Sequence, residues 1–138
     1  MKRSQINYAI DKAHAIAETF RVCLPDFAFF TADAWRHQAQ ADRHEVLELE
    51  LGWDITDFGH GDFSRTGLTL LTLRNGKMGS RRYPKSYAEK MLQIQQEQQT
   101  PWHFHIHKME DIVNRGGGDL CMQLAWATPE ALYDNQRE

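Results

Sequence analysis

Apolar residues recur at helical spacing near the start of the chain. Ile6, Ile10, Ala13, Ala17 and Phe20 form one stripe, with Lys12 and Glu18 off it. Ser4 is the expected N-cap. Cys23-Leu24-Pro25 ends the segment, because a residue preceding proline avoids helical backbone. Phe27, Phe29 and Phe30 follow, and Thr31 is positioned to cap a short helix through Ala34, Trp35 and Gln38. This aromatic density reads as a lid packed on a sheet. From Glu45 the period becomes two: Leu47, Leu49 and Leu51 alternate with Glu48 and Glu50, predicting a strand over Val46–Leu51 that Gly52 ends. Gly59-His60-Gly61-Asp62 reads as a loop. Further strands are predicted over Leu68–Leu73, closed by an Asn75-Gly76 hairpin turn, and over Ser86–Ile94, Trp102–Lys108 and Leu120–Trp126, the last after the Gly116-Gly117-Gly118 turn. The pattern predicts an all-β sandwich or barrel in one domain over residues 1–138. Its helical lead covers about 4–41 and its β portion about 45–126.

Composition narrows the function classes. The 138 residues carry 16 Lys+Arg against 19 Asp+Glu, a formal net charge of -3. That balance gives no footprint for nucleic acid or an anionic membrane surface. Two cysteines, Cys23 and Cys121, make no disulfide framework. The first residues lack the apolar run of a signal peptide, and no window approaches a membrane span. A soluble cytoplasmic protein is the expectation.

The candidate chemistry lies in Thr100-Pro101-Trp102-His103-Phe104-His105-Ile106-His107-Lys108-Met109-Glu110. On a strand, His103 and His105 project from one face roughly 6–7 Å apart, with Trp102, Phe104 and Ile106 on the other. Glu110, five residues past His105, is far enough along to turn back and offer an oxygen. Two imidazoles and a carboxylate suit Zn, Fe(II), Mn or Ni, with positions left for a substrate. Paired histidines on a solvent-facing strand are also common without a metal, so both readings stand. His107 shares the face of the pair and is read as solvated or supporting. His60 reads as a loop residue, while His14, His37 and His44 form no constellation.

Lys90 is the second candidate. Ala88, Lys90, Leu92 and Ile94 share one strand face, and a lysine among aliphatics needs a partner, a task, or an exposed face along which to snorkel. In a metal pocket it could donate to a substrate hydroxyl or an oxyanion, and Lys108 is a candidate of the same kind. The glycine triplet lacks the Lys-Ser/Thr of a phosphate loop, and neither a C-x-x-C pair nor a G-x-S-x-G elbow is present.

Taken together, these residues resemble the first cupin motif. His103, His105, Glu110 and Gly117 match it, and Glu97 stands where the motif has its leading glycine. More closely, the chain resembles the D-lyxose isomerase family of cupin sugar isomerases. The resemblance is carried by Glu50 to Gly59, Leu73-Arg74-Asn75-Gly76, Tyr83 to Lys90 and Thr100 to Gly118, with the Met1-Lys2-Arg3-Ser4 start. It spans nearly the whole chain.

The resemblance implies a mainly β cupin (jelly-roll) barrel with N-terminal helices packed on it. It also implies a homodimer and a divalent metal, commonly manganese, with zinc, iron or cobalt as substitutes. His103, His105 and Glu110 fall on three of the family's metal ligands. The implied reaction interconverts D-lyxose and D-xylulose, or D-mannose and D-fructose, through an enediolate stabilised by the metal and a lysine. Glu110, as a ligand, is poorly placed to be the base. The family's fourth ligand is a downstream histidine, and no histidine follows His107. The chain is therefore expected to be the N-terminal part of such an isomerase with an incomplete barrel, which allows for a truncated, inactive form. Two other readings stay open: another metallocupin enzyme of the Fe(II) oxygenase type, and a non-catalytic sugar-binding remnant.

Overall fold

A computed structural model describes residues 1–38, 40–105, 108–127 and 133–134. The chain divides into two compact units, Met1–Pro101 and Trp102–Glu138. In the first, the expected leading helix is α1, Arg3–Thr19. Its start is set by Lys2 and not by Ser4: Gln5 Oε1 accepts from the Lys2 backbone N–H at 2.8 Å. Ala9, Ala13 and Ala17 are its buried residues, four apart, while Ile6 and Ile10 are half-buried and Phe20 is exposed. Small residues on the inner stripe let the helix backbone lie close to what it covers. A 3-10 turn over Asp26–Phe29 follows the Pro25 stop. Thr31 caps α2, Ala32–His37, its hydroxyl accepting from the Ala34 N–H at 3.1 Å as expected.

The strand predicted over Val46–Leu51 is corrected. Residues Gln40–Glu48 form helix α3, and the first strand, β1, runs over Gly52–Thr56, starting at the glycine expected to end it. Val46 and Leu49 lie three apart, so the same run also fits a helical period, and Leu49 is buried while Leu47 is exposed. Glu48 favours the helix through His44 Nδ1, four residues back at 3.3 Å, and also meets Lys77 Nζ at 3.5 Å.

Strand β2, Leu68–Arg74, matches the expected strand. It pairs antiparallel with β1 (Trp53 opposite Leu71) and with β3, Glu89–Gln93 (Leu71 opposite Met91), giving the order β1-β2-β3. The third strand is thus shorter than Ser86–Ile94. Directly opposed residues share a face, so Trp53, Ile55, Thr69, Leu71, Met91 and Gln93 lie on one side. Leu71 is fully buried there. Helix α1 packs against β1 and β2, and its His14 ring meets Trp53 edge-on, centroids 5.4 Å apart. The aromatic lid closes the same side. Trp53 Nε1 and His14 Nε2 both donate to the Ala28 carbonyl, at 2.8 and 3.0 Å, and His14 stacks on Phe29. His14 therefore anchors the core.

Asn75-Gly76 is not a two-residue hairpin turn. Gly76 lacks the positive φ such a turn requires, and Asn75 Nδ2 instead donates to the Leu49 carbonyl at 2.9 Å. Glycine is needed here for space, since a Cβ at this position would collide with the Lys85 carbonyl. The longer connection to β3 is closed by the Arg74–Glu89 ion pair at 2.7 Å.

In the second unit the described residues of the strand predicted over Trp102–Lys108 lie outside any sheet, and Ile106 and His107 fall outside the described residues. Of the strand predicted over Leu120–Trp126, only Trp126 joins a ladder: β4, Trp126–Ala127, pairs antiparallel with β5, Tyr133–Asp134. Alternation marks a residue's capacity for a strand, but a strand also needs an edge to bond to. Among the described residues of this unit, 102–105 and 108–125 belong to no ladder. The β architecture described is therefore a three-stranded antiparallel sheet joined by three helices, plus this short ladder. Among the described residues, no helix is long and apolar enough to cross a membrane.

Candidate metal centre

The segment leading to the histidines is fixed by Gln98, which is 7% exposed. Its Nε2 donates to the Phe63 carbonyl at 2.5 Å and its Oε1 accepts from the Gln95 N–H at 2.9 Å. Gly67 and Gln99 then extend the anchoring: the Gly67 N–H donates to the Gln99 carbonyl at 3.0 Å, and the Gln99 N–H to the Arg65 carbonyl at 2.9 Å. Within this turn Glu97, at the motif's glycine position, takes a φ of 59°. This is left-handed backbone that glycine enters without steric cost.

The second unit brings His103, His105 and Glu110 together. One donor atom from each lies within 4.8 Å of the others. The two imidazoles meet edge-on with centroids 5.1 Å apart. Glu110 Oε1 lies 3.1 Å from His105 Nε2 and 2.6 Å from Lys108 Nζ. All three candidate ligands are exposed, and Trp102 and Phe104, expected on a packed side, are 54% and 49% exposed.

The Lys108 ammonium, hydrogen-bonded to Glu110, holds that carboxyl below its ordinary value of 4.5. Partial burial opposes the shift, and the charges of Lys108, His105 and His103 add to it. The glycine turn beyond is formed as expected. Asn114 Oδ1 accepts from the Gly116 N–H at 3.1 Å, Asn114 Nδ2 donates to the Gly118 carbonyl at 2.9 Å, and Gly117, the motif's last glycine, has φ 96°. A side chain at Gly117 would be strained by that backbone.

The donor set fits a divalent cation. With bonds of about 2.0–2.2 Å, two ligands of one ion lie about 3–4.3 Å apart, so these donors need only a small closure. Two nitrogens and one oxygen suit first-row divalent metals and leave positions for oxygen donors of a substrate.

Lys90 belongs to the first unit, on β3 opposite Thr72, in the face turned away from Leu71. It is exposed beside exposed Leu92 and Ile94, so the lysine meets solvent among aliphatics and is not desolvated. Of the other histidines, His60 lies exposed in a turn closed by its N–H on the Asp57 carbonyl at 2.9 Å, and His37 Nδ1 donates to the Asp33 carbonyl at 2.7 Å. His107, read as solvated or supporting, lies outside the described residues. Two features had no sequence reading. One is the Gln98 anchor, and the other is the sharing of a single Glu110 oxygen by His105 and Lys108. The Lys-x-Glu spacing is the only signal for the second.

Comparison with known proteins bears on the family of the chain. A protein from Serratia proteamaculans named D-lyxose/D-mannose isomerase is 47% identical over 124 residues, covering 90% of this chain and 54% of its own length. One of the same name from Escherichia coli O157:H7 is 46% identical over 124 residues, covering 90% and 55%. The chain thus spans about half the length of the curated relatives it matches. The family described as D-lyxose isomerase matches residues 1–138, the full extent of the sequence. The chain belongs to the D-lyxose isomerase family.

Proposed function

We propose that this chain carries the metal-holding part of an aldose–ketose isomerase acting on D-lyxose, and on D-mannose as the names of its relatives indicate. The observation that carries the reading is the convergence of His103, His105 and Glu110 in a member of this family. These three residues are the proposed ligands, and manganese is the proposed ion. When bound, such an ion supplies Lewis acidity to the sugar carbonyl.

The side chains do the rest. Lys108, already beside Glu110, is placed to donate to a sugar oxygen as negative charge develops during proton transfer between C1 and C2. Lys90 is proposed for the same kind of task. Glu110, engaged as a ligand, is not the base. The sheet of β1, β2 and β3 is read as part of one wall of a cupin jelly roll, in a homodimer. Cys23 and Cys121 are free and exposed, which fits a reducing cytoplasm.

The test uses the protein stripped by a chelator and reloaded with Mn2+, with D-xylulose formation from D-lyxose followed by NMR. Activity that returns with metal and is lost in His103→Ala and His105→Ala supports the reading. Metal-replete protein that binds D-lyxose without forming D-xylulose overturns the enzymatic part and leaves a sugar-binding protein. Oxygen uptake with a small organic substrate would move the site to the oxygenase class.

A further inference from the structure

Glu110 Oε1 has two nitrogen neighbours, the Lys108 ammonium and the His105 imidazole. Lys108 Nζ lies at 2.6 Å and His105 Nε2 at 3.1 Å, and the oxygen is the one Glu110 turns toward the histidines. A divalent ion held by His105 and Glu110 would take a lone pair of this carboxylate next to an ammonium already bound there. Two cations at contact distance repel, and the effect grows as water leaves the site. Lys108 and the metal therefore compete for Glu110. The lysine can yield, because its side chain is 49% exposed and its four-carbon stem is free to swing into solvent or onto a ligand.

We propose that Lys108 is the counter-ion of the metal-free site, holding Glu110 until a divalent cation takes the carboxylate. The same exchange frees the ammonium. Metal occupancy and the availability of Lys108 to a sugar oxygen are then one event, so the donor is released only where the Lewis acid is present. This inference rests on the metal reading of His103, His105 and Glu110.

Titration calorimetry of the whole chain with Mn2+ alone tests it. Lys108→Met and Lys108→Gln should bind Mn2+ on the order of two- to five-fold more tightly than the parent, the range for losing a competitor held by a half-exposed ion pair. Lys108→Arg, which keeps the charge, should restore the parent affinity. Equal or weaker binding in both neutral variants would overturn the inference, because it would make Lys108 a support for Glu110 and not its competitor. Acylation of Lys108, read by mass spectrometry, should rise when Mn2+ is added. No rise would also overturn it. Failure of the underlying site looks different: His105→Ala would then leave the parent's Mn2+ binding unchanged.

Discussion

At the residue scale, the behaviour of Glu110 follows from the two donors that meet at one of its oxygens. Its carboxyl titrates below 4.5 chiefly because Lys108 hydrogen-bonds the charged form. A carboxylate whose folded pKa is depressed stabilises the fold above its unfolded value, and that contribution is lost as pH falls through the folded one. The stabilisation from this contact is therefore complete above about pH 4.5 and disappears in more acidic solution. It is small, since both side chains are close to half-exposed and water screens them. Replacing Lys108 by Met should move the Glu110 titration midpoint upward toward 4.5, as measured from its carboxyl carbon by NMR. An unmoved midpoint would assign the shift to the histidines. The clustering of the three candidate ligands was legible in sequence because all fall between positions 103 and 110, where chain connectivity limits their separation. Their shared oxygen was not, because it depends on side-chain rotamers that spacing does not determine.

At the scale of elements, legibility followed local chemistry. Helix α1 and the Thr31 cap were readable because a helical stripe and a capping hydroxyl act within a few residues. Strand β2 was readable because Leu68 to Leu73 is a short apolar run bounded by glycines. The run Val46–Leu51 misled because it satisfies both periods, and Glu48 resolves it through partners at His44 and at distant Lys77. Asn75 misled for a similar reason: the side chain that would favour a tight turn is bonded instead to Leu49, 26 residues earlier. The turn over 95–98 shows the same dependence on distant partners. Gln98 bridges it to Phe63, and substitution by Leu would leave the Phe63 carbonyl and the Gln95 N–H without their side-chain partner. Gln98→Leu should cost about 1–3 kcal/mol of stability, the penalty for buried polar groups left unsatisfied. Chemical denaturation would read this as a lower midpoint at unchanged slope.

The whole molecule is uneven in how it shelters its apolar side chains. The first unit has a core built on Leu71, Leu49, Tyr83 and the alanines of α1. In the second, every described residue from Trp102 through Trp126 is exposed, including Met109 at 98% and Leu124 at 85%. Proteases act on backbone that few buried contacts protect. Limited trypsin treatment should therefore cut after Lys108 or Arg115 before it cuts after Lys12 in α1, with mass spectrometry identifying the first fragments. Early cleavage at Lys12 would show that the first unit is the less protected one. Mn2+ should slow the cut after Lys108, because that backbone lies between two of the proposed ligands.

Gly76 governs how this chain can vary. In most turns a glycine is kept for its backbone angles, and asparagine or alanine is an acceptable replacement at modest cost. Here the constraint is volume, set by the Lys85 carbonyl lying against the α-carbon. Alanine, the mildest change at most positions, already brings the offending atom, so a substitution scan should show position 76 closed to all side chains alike. The barrier is a step and not a slope. A lineage wishing to change this residue would first have to re-route the loop that carries Lys85.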